Sequence, residues 1–296
     1  MNKEVADITK IIFVTGEQKN AGKTTFLKHL LFEARTKGKN FVVSSVGIDG
    51  EKTDAVYGNS KPQIVLEKGE MVVTSEEAIK LSEGDFDILN VFENNKYQQN
   101  ERSVLAKAKR LSAIEVVASG DNLVLSDVLS AIKKDIAPDF IFVDGAADRI
   151  TQVASSQNTA FYYVVKISNA NFYSAVDNIK KLDALSRLPL FREQKDGKKR
   201  VKIEGALTSN KINKLKDEIE EIVINDFSKV FLSFAELKIL LKKRTVSVNN
   251  QYDLKSFIII DSEISKDKII KEFQNKNLLS KIKFNPYENQ ILEEYI

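Results

Sequence analysis

The residues with the clearest chemical potential lie between Gly16 and Thr25, in the run IIFVTGEQKNAGKTTFLKHLL. An apolar segment of strand length leads into this loop, and a pattern with helical spacing follows it. Glycines let a backbone turn its N–H groups inward around a phosphate, and the positive end of a helix adds to the attraction. The run therefore predicts a phosphate-binding loop, formed by Gly16, Lys19, Asn20, Ala21, Gly22, Lys23, Thr24 and Thr25.

The spacing of this loop departs from the usual motif at its first glycine. Counting back from Gly22 and Lys23, that glycine is expected at position 17, but Glu17 stands there and Gly16 comes one residue earlier. We expect Lys23 to contact the β- and γ-phosphate oxygens and the Thr24 hydroxyl to bind Mg²⁺. ATPase or GTPase function follows from this loop as a class, but the particular reaction does not.

The sequence says less about which nucleotide base is bound than about the phosphates. The Asn-Lys-x-Asp run that selects guanine is absent in that form, because VVKISNAN has Lys166 and Asn169 but no aspartate at the required place. We therefore expect the nucleotide to be ATP, bound with Mg²⁺.

A second candidate residue is Asp144, at the end of the apolar segment in APDFIFVDGAADR. In phosphate-loop proteins a neighbouring strand brings a carboxylate to Mg²⁺, directly or through water. The following Gly145 lets the backbone turn near the γ-phosphate. We expect Asp144 to support the metal and to belong to the catalytic set with Lys23. Arg149 could pair with a phosphate, and a solvated surface position is an equal alternative.

A third candidate is Asp49, which follows the strand-like segment in VVSSVGIDGEKTD. The carboxyl ends of adjacent parallel strands open into one crevice, so Asp49 could bind Mg²⁺ or orient the attacking water. Glu51 is its rival for that role. A simple Asp-Gly turn with surface carboxylates is the alternative interpretation.

The elements that must position these residues alternate between strand and helix patterns, which is typical of an α/β fold with a mainly parallel sheet and helices on both faces. We predict a phosphate-loop domain over residues 1–190 and a smaller C-terminal α/β region over 200–296 that could continue the same sheet. QIVLE and MVVTS, separated by Lys68, Gly69 and Glu70, predict a hairpin. The predicted strands are 11–15, 41–46, 63–67, 71–74, 87–92, 114–118, 139–143, 161–167, 201–207, 229–233, 245–249, 257–261 and 281–284. The predicted helices are 23–37, 122–134, 209–220, 234–243 and 265–275.

The amino-acid composition excludes several other kinds of functional site. The chain has 296 residues and no cysteine, which excludes disulfides, thiolate metal sites and cysteine nucleophiles. Its one histidine, His29, falls in the second turn of the predicted helix, so we expect a surface or packing role. Lys plus Arg (45) nearly balance Asp plus Glu (42), and we expect no nucleic-acid partner. The polar N-terminus MNKEVADITK and the short apolar runs predict a cytoplasmic protein without a membrane anchor.

Three segments, taken in order, carry a resemblance to a known family. The segments GEQKNAGKTT, SSVGIDGEKTDAVYGNSKPQIVLEKGEMVVTS and IFVDGAADR resemble the reactivase subunit of adenosylcobalamin-dependent lysine 5,6-aminomutase and ornithine aminomutase. That family is similar to the signal-recognition, MinD and molybdenum-cofactor accessory class of phosphate-loop NTPases. The family loop carries an extra residue, which would account for the position of Gly16. The resemblance covers about residues 10–190, whereas the polar segment 93–110 matches poorly.

The resemblance implies an ATP-dependent chaperone that releases damaged cobalamin from an inactivated aminomutase. It implies that Gly22, Lys23 and Thr24 hold the phosphates and Mg²⁺, that Asp144 supports the metal and that Asp49 lies near the γ-phosphate with Glu51. The expected partners are the aminomutase and a second reactivase subunit, and a homodimer stays open. Two alternatives remain: an ATP-dependent ligase similar to dethiobiotin synthetase, and a non-catalytic accessory module similar to molybdenum-cofactor proteins.

Overall fold

The structure is a computed structural model that describes residues 9–16, 21–46, 63–92, 102–117, 122–145, 158–193, 196–285, 287 and 291–292. The strands are β1 (Lys10–Thr15), β2 (Phe41–Val46), β3 (Ile64–Leu66), β4 (Met71–Ser75), β5 (Phe86–Phe92), β6 (Ser103–Ala108), β7 (Ser112–Ile114), β8 (Phe140–Gly145), β9 (Thr159–Ile167), β10 (Arg200–Lys202), β11 (Leu207–Thr208), β12 (Glu221–Ile224), β13 (Val230–Phe231), β14 (Thr245–Val248), β15 (Leu254–Ser262) and β16 (Ile282–Phe284). The helices are α1 (Lys23–Thr36), α2 (Glu76–Leu81), α3 (Asn122–Asp135), α4 (Phe172–Ser186), α5 (Ser209–Asn213), α6 (Phe234–Lys243), α7 (Lys266–Lys271) and α8 (Lys276–Ser280).

A nine-stranded sheet forms the centre of the molecule, in the order β16-β15-β9-β1-β8-β2-β4-β6-β5. The pairings from β16 to β4 are parallel, and those of β6 with β4 and with β5 are antiparallel. The expected α/β fold with a mainly parallel sheet is therefore confirmed, with one antiparallel edge. This order places β1 between β8 and β9, so the ends of all three strands meet at the start of α1.

Helices cover both faces of this sheet because side chains on successive strand positions point to opposite faces. On one face, Val14 of β1 shares a core with Phe26 of α1. On the other face, Phe13 of β1 shares a core with Leu129 of α3. Helices α4, α7 and α8 cover β9 and β15 in a third cluster. The strand β1 is thus buried on both sides, and its end is held in a fixed position.

The C-terminal region contributes to three sheets, one of which is the two-stranded pair of β11 and β13. Strands β10, β12 and β14 form a separate three-stranded parallel sheet, whose core includes Ile222, Leu237 and Val246. Strands β15 and β16 then return to the nine-stranded sheet beside β9. We call the part from β10 to β14 the small unit.

The predicted hairpin between the segments around residues 63–67 and 71–74 is wrong. β3 pairs with β7 in a two-stranded sheet, whereas β4 lies between β2 and β6. Gly69 does adopt a turn conformation, with φ of 97°, but the two strands diverge after it. Arg35 of α1 binds both the Glu70 carboxylate and the Val65 carbonyl, which ties this turn to the helix.

Several other elements differ from the prediction. Helix α4 was not predicted, and β6 lies in the segment 93–110 that we described as polar. The predicted helix 209–220 is limited to α5, the predicted helix 265–275 is limited to α7, and α8 lies beyond the predicted range. The predicted strand 201–207 is divided into β10 and β11, and residues 115–117 are not a strand. None of the helices in the described part of the chain has the length and apolar character that crossing a membrane requires.

Candidate functional site

The end of β1 and the start of α1 frame the candidate site. β1 ends at Thr15, Gly16 follows it, and α1 begins at Lys23. A Cβ atom on Gly16 would lie 2.6 Å from the carbonyl oxygen of Val164 in β9, so the neighbouring backbone leaves room only for glycine. Lys19 and Asn20 lie outside the described residues, and their predicted phosphate contacts stay predictions.

Gly22 begins α1 in a conformation that favours glycine. Its φ is 95° and ψ is 15°, and a Cβ atom there would lie 2.8 Å from Cδ1 of Ile260 in β15. Gly22 has no side chain to cap this helix end, and the first turn of α1 contains no acidic residue. The first N–H groups of a helix have no partner within the helix, and the helix dipole makes that end positive. The start of α1 therefore suits an anion.

The Lys23 side chain extends back over the end of β1. Its Cγ and Cδ atoms both lie 3.4 Å from the position that a Cβ atom on Gly16 would occupy. The ammonium group thus adds a positive charge to a helix end that is already positive. Thr24 and Thr25 follow in the same turn, Thr24 partly buried and Thr25 exposed.

Thr24 contacts Asp144 across the sheet. Its hydroxyl donates a hydrogen bond to Oδ2 of Asp144 over 3.5 Å. Asp144 lies opposite Val14 of β1 and Ser45 of β2 in the parallel registers. It shares a face with Phe142, which packs in the core below α1, because side chains alternate along β8. The structure therefore brings together two predicted metal ligands from distant parts of the chain.

The ionisation of Asp144 reflects this environment. Burial raises the pKa of the Asp144 carboxyl, whereas the Lys23 charge and hydrogen bonds from Thr24 and the Gly145 backbone oppose the rise. Burial is the stronger influence, so the folded protein disfavours the ionised form of this carboxyl. A cation bound beside it would oppose that effect.

The donor set fits Mg²⁺ in combination with a nucleotide. A hydroxyl oxygen and a carboxylate oxygen are hard ligands of the kind that Mg²⁺ prefers, and this ion usually completes its shell with phosphate oxygens and water. Within the described residues, no group of three or more His, Asp or Glu side chains could hold a metal. Thr24 and Asp144 thus offer two oxygen ligands to an ion that arrives with phosphates.

A small pocket of about 80 Å³ adjoins Ala21 on the β9 side of the loop. Lys166 and Asn178 contribute polar groups to it. The turn after β9 is fixed from two sides: Asn171 accepts a hydrogen bond from the Ser168 N–H over 2.7 Å, and the Asn169 N–H donates to Glu263 over 3.0 Å. The residues that follow β9 are therefore held in place by hydrogen bonds beside this pocket.

Two contributors to the site were missed from the sequence. Ser45 lies beside Asp144 in the next strand, and Ile260 of β15 packs against Gly22. The polar pair Ser44-Ser45 at the end of an apolar strand was a signal for the first. No sequence signal places Ile260 there, because β15 joins β9 from more than 90 residues away, a pairing that local pattern does not encode.

The remaining candidates have different outcomes. Asp49, Glu51 and Arg149 lie outside the described residues, so their roles stay predictions. His29 is a buried packing residue, and its Nε2 lies 2.7 Å from Oε1 of Glu33, one helical turn further along α1.

Comparison with protein-family models gives no match to this chain, and comparison with curated protein sequences gives none either.

Proposed function

We propose that the chain binds a nucleoside triphosphate with Mg²⁺ at the start of α1 and hydrolyses it slowly. The observation that carries this proposal is the contact between Thr24 and Asp144 at the positive end of α1, where Gly22 begins the helix. Such an end attracts phosphate groups, and the two oxygen ligands beside it suit the accompanying metal. ATP is the proposed nucleotide, since the sequence lacks the usual guanine-selecting run.

Each residue has a distinct role in this proposal. The N–H groups of the first turn of α1 bind phosphate oxygens, and Lys23 neutralises the charge that develops on the β- and γ-phosphates. Thr24 and Asp144 hold Mg²⁺, which when bound withdraws charge from the phosphate oxygens. Gly16 and Gly22 flank the loop, and a Cβ atom at these positions would meet the Val164 carbonyl and the Ile260 side chain, respectively.

The resemblance to the aminomutase reactivases supplies a more specific proposal. Hydrolysis would drive the release of damaged cobalamin from an inactivated aminomutase, and the activation would come from that partner. Asp49, with Glu51 as its rival, would orient the attacking water. This more specific proposal rests on the matching segments, and it adds a client protein, the aminomutase, to the proposed nucleotide hydrolysis.

Product analysis tests the proposal and its alternatives together. Purified protein is incubated with Mg-ATP alone, with an inactivated cobalamin-dependent aminomutase, and with a panel of small carboxylic acids. The proposal predicts ADP and phosphate as the only small products, and a faster release of both when the aminomutase is present. Turnover that requires a small acid would support a ligase instead. Nucleotide binding without turnover under every condition would support an accessory module.

A further inference from the structure

A cleft of about 1170 Å³ lies where the small unit meets α4 and the segment from α7 to α8. We call it the basic cleft and define it by its principal lining residues, Lys180, Asp183, Arg187, Lys238, Lys242 and Lys271. Pockets for small molecules usually measure about 300–1,000 Å³. The basic cleft is larger and open, so it suits a segment of a macromolecule.

The basic cleft is remote from the phosphate-binding end of the sheet. α4 starts just after the carboxyl end of β9 and runs back along the sheet for 15 residues, which corresponds to about 22 Å. Asp183 lies in the last turn of α4, and Arg187 follows the helix. The cleft therefore belongs to the opposite edge of the sheet and is not an extension of the candidate nucleotide site.

The lining of the cleft is strongly positive. It contains eight Lys and Arg residues and four Asp and Glu residues among those that the structure describes. The side chains of Lys238, Lys242, Lys243 and Lys271 are exposed, and none makes an ion pair with a described residue. Like charges that converge on a concave surface reinforce one another and attract anionic partners.

Apolar surface lies between these lysines. Pro189, Phe234 and Leu241 line the cleft, and Leu241 is 36% exposed. A groove with apolar surface and a basic rim matches a helix that carries apolar side chains on one face and carboxylates beside them. A chain that is only charged would leave this apolar surface uncovered.

Asp183 adds a buried carboxylate to the wall of the cleft. Its side chain is only 7% exposed, Oδ2 accepts a hydrogen bond from Arg187, and the Lys281 ammonium group lies 3.6 Å from Oδ1. These two cations balance the Asp183 charge, so the exposed lysines set the positive charge that a partner meets. The apolar surface between those lysines favours a peptide with carboxylates over a nucleic acid.

We propose that the basic cleft binds an acidic amphipathic helix of a partner protein. The carboxylates of that helix contact Lys238, Lys242 and Lys271, and its apolar face covers Phe234 and Leu241. Since the contacts are mainly between opposite charges near water, the affinity falls as the salt concentration rises.

The test measures fluorescence anisotropy of a labelled synthetic helix with Leu on one face and Glu beside it, titrated with the full chain. The cleft variant carries Lys238→Glu, Lys242→Glu and Lys271→Glu. The matched control carries the same three charge reversals at exposed lysines elsewhere, Lys28→Glu, Lys107→Glu and Lys134→Glu. The two variants have the same net charge, so they separate a local site from overall attraction.

We expect the peptide to bind the wild type and the control with similar affinity, and the cleft variant roughly tenfold more weakly or worse. We also expect a single-stranded oligonucleotide of similar length to bind the wild type more weakly than the peptide. Equal affinity of the peptide for the two variants, tighter binding of the oligonucleotide, or no binding of the peptide to the wild type would each overturn the proposal.

Discussion

The Thr24 hydroxyl donates a hydrogen bond to Oδ2 of Asp144 over 3.5 Å, although the two residues are 120 positions apart in the chain. The contact forms because β1 and β8 are parallel neighbours, so that the start of α1 and the end of β8 lie at the same edge of the sheet. Each residue is a suitable metal ligand on its own. Their proximity is the reason to propose a shared ion.

Replacing Asp144 by Asn tests the metal-binding half of that pair. The neutral amide loses a charge-assisted contact with Mg²⁺, so we expect Mg-ATP binding to weaken by about 1–3 kcal/mol. Isothermal titration of Mg-ATP into wild type and variant gives the difference. Titration of ATP in the presence of a chelator should show a much smaller difference between the two proteins.

The same variant without nucleotide supplies a control for misfolding. Burial raises the pKa of Asp144, which means that the folded state disfavours its ionised form at neutral pH. We therefore expect the melting temperature of Asp144→Asn without nucleotide to equal or exceed that of the wild type. A large fall in its melting temperature would mean that any loss of binding comes from damage to the fold.

Gly22→Ala tests whether the start of α1 requires glycine. Gly22 and Gly38 both have positive φ, 95° and 62°, so alanine at either position costs about 1–2 kcal/mol of backbone strain. Only at Gly22 would the new Cβ atom also meet a side chain, at 2.8 Å from Ile260. We expect Gly22→Ala to lower both the free energy of unfolding and the ATP affinity, and Gly38→Ala to lower only the former. Denaturant unfolding and nucleotide titration measure the two effects, and equal ATP affinity in both variants would contradict this account of the loop.

Glu33 anchors the C-terminal residues to α1. Its buried carboxylate accepts hydrogen bonds from the N–H groups of Ile291 over 2.9 Å and Leu292 over 2.7 Å, and it pairs with His29. Burial alone would raise the pKa of Glu33, but the hydrogen bonds from His29 and from these N–H groups outweigh it and hold the pKa below its ordinary value of 4.5. The folded state therefore favours the carboxylate over the protonated acid.

Glu33→Gln should lower the free energy of unfolding by about 2 kcal/mol at neutral pH, because two N–H groups lose a charged acceptor. Since the folded pKa is lowered, this stabilisation is complete above pH 4.5, the ordinary value, and is lost as the pH falls through the folded pKa. Urea unfolding of wild type and variant at several pH values measures the difference. Glu77→Gln, at an exposed position on α2, is the matched control. A difference that stays constant down to strongly acidic pH would contradict the assigned role of the carboxylate.

Sequence patterns predicted the bounds of many elements within two residues, both at the centre of the large sheet and at its edge strands β5 and β16. β1, α1, β2 and β8 lie within two residues of their predicted bounds. Each has a strong apolar pattern, and glycine or a polar residue marks where it begins or ends. These four elements also carry every described residue of the predicted phosphate and metal sites except Gly16, Ala21 and Gly22, which lie at their ends. The local pattern was thus sufficient to identify the loop and Asp144 as candidates.

The errors arose where tertiary contacts override local preference. Residues 209–220 have helical apolar spacing, but α5 ends at Asn213, and the Lys216 carbonyl accepts a hydrogen bond from Arg244 over 3.2 Å instead of one within a helix. The separation of β3 from β4 likewise depends on partners β7 and β2, which lie elsewhere in the chain. Helix α4 has apolar residues at helical spacing, including Phe172, Val176 and Ile179, and a systematic search for that period would have found it.

Asp49 lies outside the described residues, and its role is best tested against that of Asp144. If Asp49 orients the attacking water, Asp49→Asn should lower the hydrolysis rate and leave Mg-ATP affinity nearly intact, because the lost interaction belongs mainly to the transition state. Single-turnover hydrolysis and Mg-ATP titration measure the two quantities. Loss of binding as severe as in Asp144→Asn, with turnover preserved at saturation, would show that the roles are assigned wrongly.

The most direct test of nucleotide binding uses Lys23, whose side chain lies over the end of β1. A ligand that binds only the folded state raises the melting temperature, so Mg-ATP should stabilise the wild type. Lys28→Ala, at an exposed position on the same helix, should keep that rise, whereas Lys23→Ala should lose it. The measurement is the melting temperature of the three proteins with and without Mg-ATP. Equal stabilisation of all three, or none in the wild type, would contradict the proposal that the start of α1 binds a nucleoside triphosphate.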